Sequence, residues 1–167
     1  KLTKRSRAGV YESDRPRLEE MVKKLSAIPL QANPGSSWVY SVSIDVLGRL
    51  VEVISGKPFG TFIHDRIFLP LGMKDTGFYV PSGKSARLAG QHTRDSSGKL
   101  KVSEPSRLSP FLKKPVHESG GGGLCSTAHD YFRFCQMILN GGELDGKRLL
   151  KEETVSLMTR DQLPASI

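Results

Sequence analysis

The chain has 167 residues, 37% of them hydrophobic and 25% charged, a balance that supports one domain with a real core. No apolar run approaches the roughly 18 residues of a membrane span. The basic start Lys1-Leu2-Thr3-Lys4-Arg5-Ser6-Arg7 leads into no apolar stretch, so it is not a secretory signal. The net charge of +8 raises nucleic-acid binding. However, the basic residues are scattered among acids and the one cluster, Lys4-Arg5-Ser6-Arg7, has no interleaved aromatics, so no nucleic-acid partner is expected.

Leu18, Met21, Val22 and Leu25 repeat at helical spacing and predict a helix packed on one side. Pro16 suits its first turn, and Pro29 stops it. Arg15, Arg17, Glu19, Glu20, Lys23 and Lys24 read as its solvated face. The turn at Pro34-Gly35 follows. Val46, Leu47, Leu50, Val51 and Ile54 then share one helical face, with Gly48, Arg49 and Glu52 opposite. Ser41 or Ser43 is the expected cap, and Gly56 with Pro58 ends the helix.

Phe59, Phe62, Ile63 and Ile67 predict a short helix closed by Pro70 and Gly72. Two short segments around Asp95-Ser96-Ser97-Gly98 predict a hairpin. Residues 103–118 hold three prolines and little periodicity, and read as a long ordered loop. After the glycine run, Ala128, Tyr131, Phe132, Cys135, Ile138 and Leu139 form a helical stripe started by Ser126 or Thr127. A tight hairpin around Asp145-Gly146 and a final helix over 151–158 complete a mainly α chain with small β-hairpins.

Cys125 and Cys135 stand ten apart, which suits neither a metal pair nor a redox pair, and they read as two reduced, buried thiols. His64, His92, His117 and His129 lack ligand spacing. No metal and no cofactor are expected.

Several blocks, taken in order, carry a resemblance. They are Pro34-Gly35-Ser36-Ser37-Trp38-Val39-Tyr40-Ser41, Leu47-Gly48-Arg49-Leu50-Val51-Glu52, Pro70-Leu71-Gly72-Met73-Lys74-Asp75-Thr76-Gly77-Phe78, Gly121-Gly122-Gly123-Leu124-Cys125-Ser126-Thr127 and Gly141-Gly142-Glu143-Leu144-Asp145-Gly146-Lys147. The sequence resembles the serine β-lactamase-like family of class C β-lactamases, penicillin-binding carboxypeptidases and related esterases. That family joins a Ser-x-x-Lys nucleophile, a Tyr-x-Asn motif or variant, and a Lys-Thr-Gly strand. The resemblance implies that Tyr40 is the second motif's proton-transfer group. A free phenol titrates near ~10, so a neighbouring lysine ammonium is needed to make it a base at neutral pH. Read without the family, Tyr40 is a core residue packed beside Trp38.

Val42 stands where β-lactamases commonly have asparagine, and it cannot donate a hydrogen bond to a β-lactam side-chain amide. This departure points toward simple esters. Ser96-Ser97-Gly98-Lys99 is the one Ser-x-x-Lys match, but it falls in a predicted turn downstream of Tyr40 and is not expected to be catalytic. No Lys-Thr-Gly occurs. Residues 1–167, with no initiating methionine, therefore read as a fragment: the helical lobe of the family's α/β fold, with the remainder of that domain as its partner.

The glycine run ends in Leu124-Cys125-Ser126, not in the lysine and serine of a phosphate loop. Its bland reading is a permissive helix entry that allows close backbone approach. The resemblance implies instead a substrate-side wall at Gly121, Gly122 and Gly123. Two functional readings follow. One is the lobe of a serine hydrolase acting on small ester or amide substrates through an acyl-enzyme. The other is a non-catalytic binding or scaffold protein using the same lobe.

Overall fold

The computed structural model describes residues 17–163. Pro16, Arg15 and the basic cluster at 4–7 lie outside them. Helix α1 (Leu18–Leu25) carries Glu19 and Glu20 in its first turn and Lys23 and Lys24 in its last, which suits the helix dipole. Of its apolar stripe only Leu18 is fully buried, against α2 (Ser43–Ser55).

The capping expected at Ser41 or Ser43 is not found. Val42 occupies the cap position of α2, no side chain caps it, and Ser43 is already helical. At the other end Gly56 takes a left-handed φ of 67°, which ends the helix as expected.

The helix bears out the shared face read from the sequence, and the structure adds its orientation. Its buried residues are Asp45 and Gly48, while Val46, Leu47, Leu50 and Ile54 face outward. Gly48 is the reason. Without a side chain it lets Leu18 and Phe59 approach within 3.4 and 3.6 Å of where a Cβ would stand. Glu52 then serves the inward face, accepting the Phe59 amide at 3.2 Å and pairing with Arg49 at 3.1 Å.

Helix α3 (Phe59–Ile63) runs into a wide π turn (His64–Phe68), and Gly72 takes the left-handed conformation that releases the chain. A 3-10 turn (Ser82–Arg87) leads to the hairpin β1 (Gln91–Arg94) and β2 (Leu100–Glu104), antiparallel as predicted. The prolines of the following loop organise two more 3-10 turns, Ser106–Leu108 and Pro110–Leu112. Thr127 caps α4 (Ala128–Leu139) by accepting the Asp130 amide. The second hairpin pairs β3 (Glu143–Leu144) with β4 (Lys147–Arg148) through Asp145 and Gly146, both at positive φ. Helix α5 (Glu152–Met158) follows.

The core is a cluster of Ile63, Phe68, Leu71, Met73, Phe78 and Met137. Helix α4 enters it with Met137, flanked by Phe134 and by Ile138 of the stripe marked by the sequence, while Tyr131, Phe132 and Leu139 of that stripe are exposed. Cys135 shares that outward face, so only Cys125 is partly buried; both thiols are free. Burial pushes the Cys125 thiol pKa up, which keeps it protonated. Two helices thus present apolar faces away from the core they help to build.

Candidate active site

Tyr40 sits on the loop entering α2. The turn before it closes with the Ser36 amide on the Asn33 carbonyl at 3.0 Å, Gly35 at φ 80°. Its ring lies 6.2 Å from that of Trp38, tilted by 41°, but neither belongs to the core: Trp38 is 64% exposed and Tyr40 85%. The core reading of Tyr40 fails. Val42 accepts the first helical hydrogen bonds, from Asp45 at 3.0 Å and Val46 at 3.2 Å, while its side chain stays exposed.

One turn further on lies a residue that the sequence reading passed over. Asp45 is 7% exposed, and its carboxylate faces the loop that carries the glycine run. Oδ1 accepts the Ser119 hydroxyl at 2.6 Å and the Gly121 amide at 3.3 Å. The imidazole Nε2 of His117, also buried, stands 3.7 Å away. This grouping of aspartate, histidine and serine is not a catalytic relay. A relay needs the histidine between the other two, whereas here the carboxylate is central and takes the serine proton directly. It is an anchor.

The glycines let that anchor close. None of the four at 120–123 has positive φ, so at Gly120 and Gly123 it is space that requires glycine, not backbone conformation. A Cβ on Gly120 would lie 2.5 Å from the Ile44 carbonyl oxygen, and one on Gly123 would stand 3.0 Å from the Phe78 ring. Gly121 and Gly122 are exposed and Gly123 is buried. The loop is also held through Glu118, whose Oε2 accepts the Gly60 amide at 2.6 Å. The glycine loop therefore docks on the N-terminal end of α2 through Asp45, and Tyr40 and Val42 lie on the segment that enters that helix.

Asp45, His117 and Ser119 could not be found by motif. Their spacing fits no pattern, and an aspartate in a first helical turn is ordinary for its charge alone. Ser96 behaves as a turn residue and is exposed. It is Ser97 that bonds Asp95, through its amide at 2.9 Å and its hydroxyl at 2.7 Å.

The beta-lactamase family model matches residues 3–167, and the chain belongs to that family. A protein of Mycobacterium tuberculosis H37Rv, Rv1367c, is 41% identical over 141 residues, covering 83% of this chain and 34% of its own length. A simvastatin synthase (LovD) variant of Aspergillus terreus superposes with a TM-score of 0.70 at 31% identity, over 90% of this chain and 37% of its own. EstCE1, described as a hydrolase with promiscuous acyltransferase activity, superposes with a TM-score of 0.67 at 27% identity, over 85% of this chain and 39% of its own. The chain thus spans about a third of the length of the curated relatives it matches. Its fold is of the β-lactamase/transpeptidase type, mostly helical with few strands. No described helix is long and apolar enough to cross a membrane.

Proposed function

We propose that the chain is the helical lobe of a serine hydrolase that cleaves ester or amide bonds through an acyl-enzyme, with Tyr40 as its proton-transfer group. The observation that carries this reading is the phenol itself, 85% exposed on the segment that enters α2, the helix to which a buried carboxylate ties the glycine loop. Tyr40, as phenolate, takes the proton of a serine hydroxyl as that oxygen attacks the substrate carbonyl. It returns the proton to the departing alcohol or amine, and water then releases the acyl group by the reverse sequence. Serine and lysine come from chain outside these residues. Gly121, Gly122 and Gly123 form the substrate-side wall, and Val42, unable to donate to an amide, favours simple esters.

The partner of the lobe is the remainder of its own α/β domain. Its seat is the outward apolar face of α2, with Val46, Leu47 and Leu50, and that of α4, with Tyr131 and Phe132. Such a surface is what a lobe offers to a second packed layer.

Labelling with a fluorophosphonate and intact-mass analysis test the proposal. The complete gene product should take up one label on a serine upstream of Tyr40, and the 167-residue chain none. Stoichiometric labelling of Ser96 in either would overturn it.

A further inference from the structure

A cavity of about 610 Å³ opens on the side of the lobe formed by α3, the π turn and the segment running from Lys74 to Ala89. Tyr40, Val42, Gly121, Gly122 and Gly123 take no part in lining it. Its volume falls in the range of roughly 300–1,000 Å³ typical of small-molecule sites.

Its walls are tied together. Gly77 and Cys125 exchange backbone hydrogen bonds of 3.0 and 2.8 Å. Asp130, 3% exposed, accepts the Asp75 amide at 2.7 Å and the Thr76 hydroxyl at 2.9 Å. Lys84 donates to the Lys74 carbonyl at 2.8 Å. The floor is apolar, with Phe68 and Phe78 each 6% exposed and Leu88 half-buried beside them.

The charges are not balanced. The lining holds the cations Lys74, Lys84, Arg87 and Lys114 against the carboxylates Asp75 and Glu118. Asp75 is saturated by Lys84 at 2.6 Å and Arg87 at 2.8 Å. Glu118 is committed to the Gly60 amide. Among the described residues, Lys74 and Lys114 have no carboxylate partner.

We infer that this cavity is a binding site for an amphipathic organic acid, separate from the Tyr40 end of the lobe. The hydrocarbon body lies on Phe68, Phe78 and Leu88, and the carboxylate meets Lys74 and Lys114 at the rim. A free phosphate or a sugar would leave the aromatic floor unused, and an uncharged lipid would gain nothing from the two ammonium groups. The inference stands on the cavity and does not require the hydrolase reading.

Calorimetric titration of the complete gene product with octanoate, octanamide and acetate tests it. Octanoate should bind at least about tenfold more tightly than either, the weight of one charge-assisted hydrogen bond on one side and of the buried chain on the other. The double variant K74Q/K114Q should lose the preference for octanoate over octanamide without a change in melting temperature, since both lysines are exposed. Y40F should bind octanoate as wild type does. Absence of octanoate binding, equal binding of octanoate and octanamide or of octanoate and acetate, full affinity in K74Q/K114Q, or lost affinity in Y40F overturns the assignment.

Discussion

The carboxylate of Asp45 and the hydroxyl of Ser119 meet at 2.6 Å across 74 residues of chain. That contact fixes the glycine loop to the first turn of α2, five positions after Tyr40. It is both a folding contact and the element that sets the geometry of the candidate site.

Removing either partner therefore has a graded cost. Asp45→Ala leaves the Ser119 hydroxyl without its acceptor and the Gly121 amide with only the Ser119 oxygen, and should destabilise by about 2–3 kcal/mol. Ser119→Ala removes one donor to a carboxylate that keeps the Gly121 amide, and should cost about 1–2 kcal/mol. Thermal melts of both variants check the ordering; a greater loss for Ser119→Ala would mean that Asp45 is not the hub.

Neighbouring glycines should differ sharply. Gly120→Ala places a methyl 2.5 Å from the Ile44 carbonyl oxygen, whereas Gly121→Ala meets Asp45 only at 3.5 Å. We expect a loss of about 1–3 kcal/mol for the first, as for other overpacked sites, and within about 0.5 kcal/mol for the second. Denaturant melts compare them directly. Similar losses at both positions would refute close approach as the reason for Gly120.

Tyr40→Phe separates chemistry from packing. In the complete gene product kcat on a short-chain p-nitrophenyl ester should fall by about 10²–10⁴, while the melting temperature moves little, because one phenol hydrogen bond contributes only about 1 kcal/mol net. Retention of more than about a third of wild-type kcat, well above the loss expected for a proton-transfer group, would remove Tyr40 from the mechanism.

Ser96→Ala should be silent. The side chain is exposed in a turn held by Asp95 and Ser97, so stability should change by no more than about 0.5 kcal/mol and turnover not at all. Loss of ester hydrolysis in this variant would revive the Ser96-x-x-Lys99 motif.

Acid should expose the Asp75 pairing. Lys84 and then Arg87, hydrogen-bonded to its carboxylate, hold its pKa below the ordinary value of 3.8. A depressed folded pKa means that its contribution is complete above 3.8 and disappears as pH falls through the lower folded value. The stability gap between wild type and Asp75→Asn should thus be present at about pH 6 and close at strongly acid pH. A gap that survives full protonation would assign the effect to packing.

Elements were far more legible in the sequence than their orientation. The stripes of α2 and α4 marked helices correctly, because periodicity records which residues share a face. It does not record what that face meets. In α2 a glycine at position 48 let Leu18 and Phe59 pack on the polar side, so Val46, Leu47 and Leu50 turned outward. In α4 the same inversion sent Met137 into the core and left Tyr131 outside. Turn chemistry was the surest signal: Gly56, Gly72 and the Asp145-Gly146 pair all take the backbone conformations that their types suggest. At the site, the resemblance singled out Tyr40, but the Asp45–Ser119 contact joins positions that no local pattern links.

The same contact has a temporal side. A helix such as α2 forms from neighbours in sequence, whereas the glycine loop must close a circuit of 74 residues before its serine finds the carboxylate. The loop should therefore dock late during folding and open before the core does. Hydrogen exchange at the Gly121 amide, which donates to Asp45 at 3.3 Å and to the Ser119 hydroxyl of its own loop at 3.2 Å, reports that opening without global unfolding. The glycine loop is thus latched by two carboxylates, that of Asp45 on α2 and that of Glu118 on the Gly60 amide at the start of α3.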